Sequence, residues 1–353
     1  MFHSRTSPKL VSACIIFQKS QEKKAARMPE KAEALLIGRL FGAPKAQLNE
    51  LFTLHQTSDF DLAGVIPRGT AEKLRAVAVG MVGSGHVSTV AVDGAFLDTF
   101  PGLEILSVLG VGCDHIDVEA AYQRGVTVTN TPDVNTEEVA DTAMGMLLGT
   151  VRQLPQADRF VRAGRWPTAM FPLTGTLRDK RLGILGLGRI GKAVARRAEP
   201  FGLDILYHGR NRQPGVPYAY AASAMELAAS VDFLFVIVPG GEETRNLVDA
   251  DMLRALGREG ILLNVSRGTV VDEAALISAL ENKVIAAAGL DAFVHEPHVP
   301  EALIAMEQVV LMPHIGSGTH HTREMMSQAV LDNLAQWNND LAVLNPVYPG
   351  QQT

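Results

Sequence analysis

A short apolar run, Leu182-Gly-Ile-Leu185, leads directly into Gly186-Leu187-Gly188-Arg189-Ile190-Gly191, and a helix-period segment follows from Lys192 to Glu199. No other feature restricts the fold of this chain as much. Three glycines at this spacing, between a strand and a helix, have separate mechanical duties. Gly186 permits a tight turn, Gly188 removes the Cβ that would hold a phosphate off the backbone, and Gly191 lets helix and strand pack closely. The start of the helix offers unpaired N–H groups and the positive end of its dipole. Such a turn takes the pyrophosphate of a dinucleotide and needs a parallel sheet around it.

The rest of the text supplies that sheet. Apolar runs at Leu182–Leu185, Ile205–Tyr207, Phe233–Val238, Ile261–Val265, Ala286–Leu290 and Val309–Met312 predict six strands separated by helical segments. An earlier series at Ala34–Gly38, Ala76–Val79, Leu103–Val108 and Val126–Thr129 repeats the grammar. Apolar runs of this length are expected of parallel strands buried on both faces. The expected fold class is therefore α/β, with two Rossmann-like or flavodoxin-like parallel-sheet domains and a cleft between them. Two long helical segments, Glu137–Leu154 and Thr322–Trp337, would link the blocks. The expected division is a disordered extension over 1–27, a substrate (catalytic) domain from 28–129 with 313–353, and an NAD(P)-binding Rossmann domain over 130–312.

Composition limits what such a chain can do. Its 353 residues exceed one ordinary core. A net charge of −6 gives no basic field for nucleic acid. No run of 18 apolar residues predicts a membrane span. Two cysteines, Cys14 and Cys113, form no disulfide framework, so a reducing cytoplasm is expected. Near the N-terminus Val11-Ser12-Ala13-Cys14 spells a lipoprotein-like box, but only two apolar residues precede Ser12, too few for a signal core.

The second strand of the nucleotide block points to the cofactor. An NAD-selective site ends this strand with a carboxylate for the ribose hydroxyls. Here it ends Tyr207-His208-Gly209-Arg210-Asn211-Arg212, and the nearest acid, Asp204, stands at the opposite end. Arg210 and Arg212 suit the 2′-phosphate of NADP, which a guanidinium can grip with two bonds. NADPH/NADP is the preferred cofactor on this reading, with NADH/NAD use left open.

Three groups stand out at strand ends: Arg267 in Asn264-Val-Ser-Arg267, which closes one strand, Glu296 in Phe293-Val-His-Glu296-Pro297, which follows another, and His314 in Met312-Pro-His314-Ile-Gly316, which closes the last. Ligands of open α/β sheets bind beyond the carboxyl ends of the strands, so one cleft can receive all three. A 2-keto acid needs such a trio. Arginine can hold its carboxylate, histidine can protonate its oxygen as hydride arrives, and a carboxylate can keep that histidine charged.

With Gly110-Val-Gly-Cys-Asp-His-Ile-Asp117, Val128-Thr-Asn-Thr-Pro132, Glu138-Val-Ala-Asp141, Val238-Pro-Gly-Gly241 and Gly289-Leu-Asp291 added to these motifs, residues 75 to 320 resemble the D-isomer-specific 2-hydroxyacid dehydrogenase family, in its hydroxypyruvate/glyoxylate reductase branch. The resemblance implies that Arg267 binds the substrate carboxylate, with Val111 and Gly112 offering N–H groups, and that Val82 and Gly83 belong to a substrate loop. It implies that His314 is the acid/base paired with Glu296, and that Asp291 bonds the nicotinamide carboxamide. Val238, Pro239, Thr244, Val265, Ser266 and Gly316 would complete the cofactor site, with Thr142 near the nicotinamide. A homodimer built on the nucleotide domains is also implied.

Cys113 stands where a bulkier residue is commoner in the family, and a small buried side chain accounts for it. His295 and His298 lack a third fixed partner, so no metal is expected. His320 and His321 are expected to cap or begin the terminal helix. Two alternatives stay open: a cofactor-sensing corepressor on the same fold, or a sister dehydrogenase acting on D-lactate or phosphoglycerate.

Overall fold

The computed structural model describes residues 31–58, 66, 69–82 and 91–350. The expected N-terminal extension, Cys14 and Gly83 lie outside the described residues. Five strands come first: β1 (Glu33–Ile37), β2 (Thr53–Thr57), β3 (Leu74–Val79), β4 (Ile105–Val108) and β5 (Thr127–Thr129). Eight more follow: β6 (Arg181–Leu185), β7 (Asp204–His208), β8 (Ala219–Tyr220), β9 (Phe233–Val236), β10 (Ile261–Asn264), β11 (Ala287–Leu290), β12 (Val309–Leu311) and β13 (Pro346–Val347).

They form two sheets. One has the order β13-β5-β4-β3-β1-β2, parallel except for β13, which pairs antiparallel with β5. The other has the order β12-β11-β10-β9-β6-β7-β8 and is parallel throughout. In each, the order reverses once, between β1 and β3 and between β6 and β9. Such a reversal splays the connections apart and opens a crevice at the carboxyl ends of the strands.

Every strand expected from the text is present. The nucleotide sheet has seven strands where six were expected, because Ala219–Tyr220 adds an edge through only two ladder positions, too few to leave a pattern. Thr53–Thr57 was likewise unforeseen: Thr-Leu-His-Gln-Thr holds one apolar residue, as an edge strand can. The segment Glu137–Leu154 is not one helix. It runs Thr136–Val151, breaks at Gln153 with φ 51°, and restarts as Leu154–Arg162. Pro155, which has no N–H to donate, is tolerated in the first turn of the second helix and not in the interior of one long helix.

Both sheets are covered on both faces, and alternate residues of one strand serve different cores. Leu35 and Ile37 of β1 pack on one side, Ala34 and Leu36 on the other. In β9, Phe233 and Phe235 face one core while Leu234 and Val236 face another. The helix Thr136–Val151 lays Ala140, Ala143, Met144 and Leu147 on the second sheet. It approaches β11 so closely that a Cβ on Gly289 would sit 2.6 Å from Met146 Cγ. The C-terminal helix His320–Asn338 returns to the first sheet, burying Met326, Val330, Leu331, Leu334 and Trp337. The chain thus crosses twice between the sheets, and both crossings flank the space between their carboxyl ends.

Candidate active site

That space is a cleft of about 700 Å³ lined from both sheets. The glycine turn forms one wall. Gly186 adopts φ 103°, and a Cβ there would meet the Ile237 carbonyl oxygen at 2.6 Å. A Cβ on Gly191 would lie 2.2 Å from the Gly186 oxygen, which no side chain survives. Gly188 is the N-cap of the helix Arg189–Ala198, has no side-chain cap, and would project a Cβ into open space. The helix therefore begins with its N–H groups facing the cleft, between a backbone bare of side chains and the wall of Leu187, Arg189 and Ile190. A dinucleotide pyrophosphate fits this cradle.

His208 at the end of β7 and Gly209, Arg210 and Asn211 beyond it continue the wall. His208 Nδ1 lies 2.9 Å from the Ala221 carbonyl oxygen and donates to it. Arg210 lines the cleft; Arg212 is exposed and lies off its lining. Val238, Pro239, Thr244, Val265 and Ser266 complete this side. The Thr244 hydroxyl donates to the Pro239 carbonyl at 2.7 Å.

The strand ends deliver the polar trio. His314 follows β12 with a left-handed backbone, φ 52°. Its Nδ1 lies 2.8 Å from Glu296 Oε2, and Glu296 Oε1 accepts the Phe293 N–H at 2.9 Å. Glu296 is off the cleft lining and stands behind the imidazole, which is on it. Asp291, at the end of β11, is 2% exposed and accepts the N–H groups of Ile315 and Gly316 at 2.8 and 2.7 Å. Burial pushes its carboxyl pKa up, against the pull of those two bonds. Thr142 donates to the Gly316 carbonyl at 3.2 Å, so the turn after His314 is held from two sides.

Arg267 faces the opposite sheet. Its Nε lies 3.2 Å from Asp114 Oδ1, and Nη1 donates to the Ser266 carbonyl at 3.1 Å. Gly112 gives it room, since a Cβ there would sit 2.0 Å from Nη2. Gly240 does the same on the other flank, 2.8 Å from Arg267 Cγ. Burial would raise the Asp114 carboxyl, but the Arg267 charge and hydrogen bonds outweigh it and hold the pKa low. Beside them, both ring nitrogens of His115 are buried without a hydrogen-bond partner. Burial, aided by the Arg267 charge and opposed by Asp114, drives the His115 pKa down to about 4.

Val111 and Gly112 line the cleft as expected residues of its first-domain wall. Val82 does not: its side chain is buried in the core of the first sheet, and Met81 reaches the cleft instead, because alternate residues leaving β3 point to opposite sides. His320 starts the terminal helix, with Thr319 as its N-cap. Asp114, His115 and Arg323 also line the cleft, and sequence reasoning missed them. Asp114 and His115 sit inside a quoted motif, but nothing in the text pairs them with an arginine 153 residues away. Among the described residues no group of three His, Cys, Asp or Glu side chains could hold a metal, and no helix is long and apolar enough to cross a membrane.

A hydride-transfer site of the doubly wound class is what this fold and cleft define. Residues 144–316 match the family model of the D-isomer specific 2-hydroxyacid dehydrogenase NAD binding domain. Glyoxylate/hydroxypyruvate reductase A of Arabidopsis thaliana is 45% identical over 260 residues, covering 74% of this chain and 83% of the relative. The 2-ketogluconate reductase of Gluconobacter oxydans is 38% identical over 320 residues, 91% of this chain and 100% of the relative. A solved NADPH-dependent glyoxylate/hydroxypyruvate reductase of Sinorhizobium meliloti, in complex with NADP and malonate, superposes with a TM-score of 0.83 at 44% identity. That match covers 90% of this chain and 97% of the other. The chain belongs to the D-isomer specific 2-hydroxyacid dehydrogenase family.

The buried His115 ring has a measurable consequence. It stays neutral down to about pH 4, whereas an unfolded chain's histidine takes its proton near pH ~6.5. Between those values protons favour the unfolded state, so stability is lost as pH falls through that window. His115→Asn should flatten this loss. Calorimetric Tm values across the window check it, and an identical slope in the variant would refute it.

Proposed function

We propose that this chain reduces small 2-keto acids, with glyoxylate and hydroxypyruvate as substrates and NADPH preferred over NADH. One observation carries the reading: Arg267 and the His314–Glu296 pair converge on the cleft that also holds the glycine turn. The names of the relatives favour this enzyme over a corepressor. In our division of the chain, residues 130–312 serve the cofactor and 28–129 with 313–353 serve the substrate.

When bound, the nicotinamide supplies the hydride. Arg267 takes the substrate carboxylate end-on through its terminal nitrogens, while Asp114 on Nε fixes the plane of the guanidinium. Val111 and Gly112 add backbone N–H groups on the same side. Glu296, bonded to Nδ1, fixes the ring of His314 so that Nε2 is the atom that gives up a proton. His314 passes that proton to the ketone oxygen as the hydride arrives at carbon. Asp291 keeps lone pairs beyond its two backbone bonds for the carboxamide N–H of the cofactor.

The cofactor preference rests on Arg210 beside Gly209 and on the lack of an acid from Ile205 to Gln213. It agrees with the NADPH dependence of the Sinorhizobium relative. A homodimer is supported by the segment after Leu154–Arg162, where Trp166, Met170 and Leu173 are 69, 82 and 92% exposed. Apolar side chains so open to water fit burial against a second copy. The cytoplasm is our compartment because two cysteines, far apart in the sequence, offer no disulfide framework; cell fractionation tests it.

His314→Ala is expected to lower kcat by about 10²–10⁴ with cofactor binding intact; normal turnover in that variant would end the assignment. Arg210→Ala should raise the NADPH KM about tenfold or more and leave the NADH KM near its starting value. Equal effects on both cofactors would remove the phosphate role. Arg212→Ala, off the cleft, should do less. Met170→Asp with Leu173→Asp should shift the sedimentation coefficient to that of a monomer, and an unchanged value rejects this dimer surface.

A further inference from the structure

Beside His314 lies a second cavity of about 240 Å³. Met81, His314 and Arg323 line both it and the main cleft, so the two adjoin at the acid/base residue. Among the described residues its lining carries two arginines, Arg39 and Arg323, two histidines and no carboxylate. Neither guanidinium has an ion-pair partner within 4 Å among the described residues. Glu324, the neighbour of Arg323, lays its stem against Gly42 instead.

Both arginines are built into place. Arg39 exchanges backbone hydrogen bonds with Met81, N to O at 2.9 Å in each direction, and its guanidinium lies 5.1 Å from the centroid of the Phe41 ring. Phe41 is itself tied to the C-terminal helix, its N–H donating to Ser327 Oγ at 2.9 Å. Arg323 leaves the first turn of that helix partly buried, and the loss of water around it lowers its pKa from the usual arginine value. A desolvated cation with no counter-charge is unfavourable until an anion reaches it. The mechanism above makes no use of either arginine.

We infer that this cavity is a subsite for the terminal carboxylate of longer 2-keto acids, so that 2-oxo dicarboxylates form a substrate class of this enzyme. The inference rests on the reductase reading, because it needs the first carboxylate at Arg267 and the ketone at His314. The chain of such a substrate then runs past Met81, and its far carboxylate meets Arg39 and Arg323 end-on. Glyoxylate has no tail and is blind to the subsite.

The experiment compares kcat/KM with NADPH for glyoxylate, 2-oxopentanoate, 2-oxoglutarate and 2-ketogluconate. The wild type is expected to favour 2-oxoglutarate over its uncharged counterpart 2-oxopentanoate by about tenfold or more, one charge-assisted bond being worth at least that. That ratio should fall about tenfold in Arg39→Gln, a change at an exposed position that the core does not feel, and likewise in Arg323→Gln. A wild-type ratio near one, a ratio untouched in both variants, or a preference for the uncharged polyol tail of 2-ketogluconate overturns the subsite. Reduction of glyoxylate without any of the expected ratios discards the subsite alone. No reduction of any keto acid discards the reductase reading and the subsite together.

Discussion

Much of this structure hangs on one buried carboxylate. Asp291 closes β11 and binds the N–H groups of Ile315 and Gly316 on the chain leaving β12. Hydrogen bonds to a charged group are worth about 1.5–3 kcal/mol each, and a buried carboxylate that lost them would bear its full desolvation cost. The two bonds fix the point at which the chain abandons the nucleotide sheet for the first sheet. They hold the backbone just beyond His314, whose φ of 52° an ordinary residue keeps only under such constraint. A wall of the cleft, the turn that carries His314 and an inter-sheet crossing therefore share a single anchor.

A similar economy governs the cations. Arg267 comes from the nucleotide sheet and is oriented by Asp114 of the other, so the ion pair ties the sheets together and also aims the guanidinium. The glycines around it, Gly112 and Gly240, are there for space and not for backbone freedom, since neither has a positive φ. His115 is the cost of this arrangement: two unsatisfied ring nitrogens pressed beside an arginine. A buried polar atom without a partner destabilises, and that it persists beside the site fits the tendency of strained or unsatisfied groups to gather where function is.

Legibility in the sequence followed the range of the interactions involved. The glycine turn could be read because strand, turn and helix are contiguous and each glycine answers a local steric demand. The ten expected strands could be read because both faces of a parallel strand are buried. Edge strands β2, β8 and β13 could not, as an edge needs neither length nor continuous apolarity. The break at Gln153 was missed because helical spacing of apolar residues continues past Pro155 even though the backbone does not.

The site divides the same way. Arg267, Glu296 and His314 stood out because each follows a recognisable strand, and the text alone determined the class of fold, the dinucleotide turn and the candidate acid/base chemistry. Only the tertiary structure decided that Arg267 leans on Asp114, that Arg210 and not Arg212 lines the cleft, that Met81 and not Val82 reaches it, and that Arg39 and Arg323 share one cavity. Those facts depend on how two sheets are set against each other and on which way single side chains turn. Periodicity carries the inside and outside of one element; it carries no information about which distant element lies opposite.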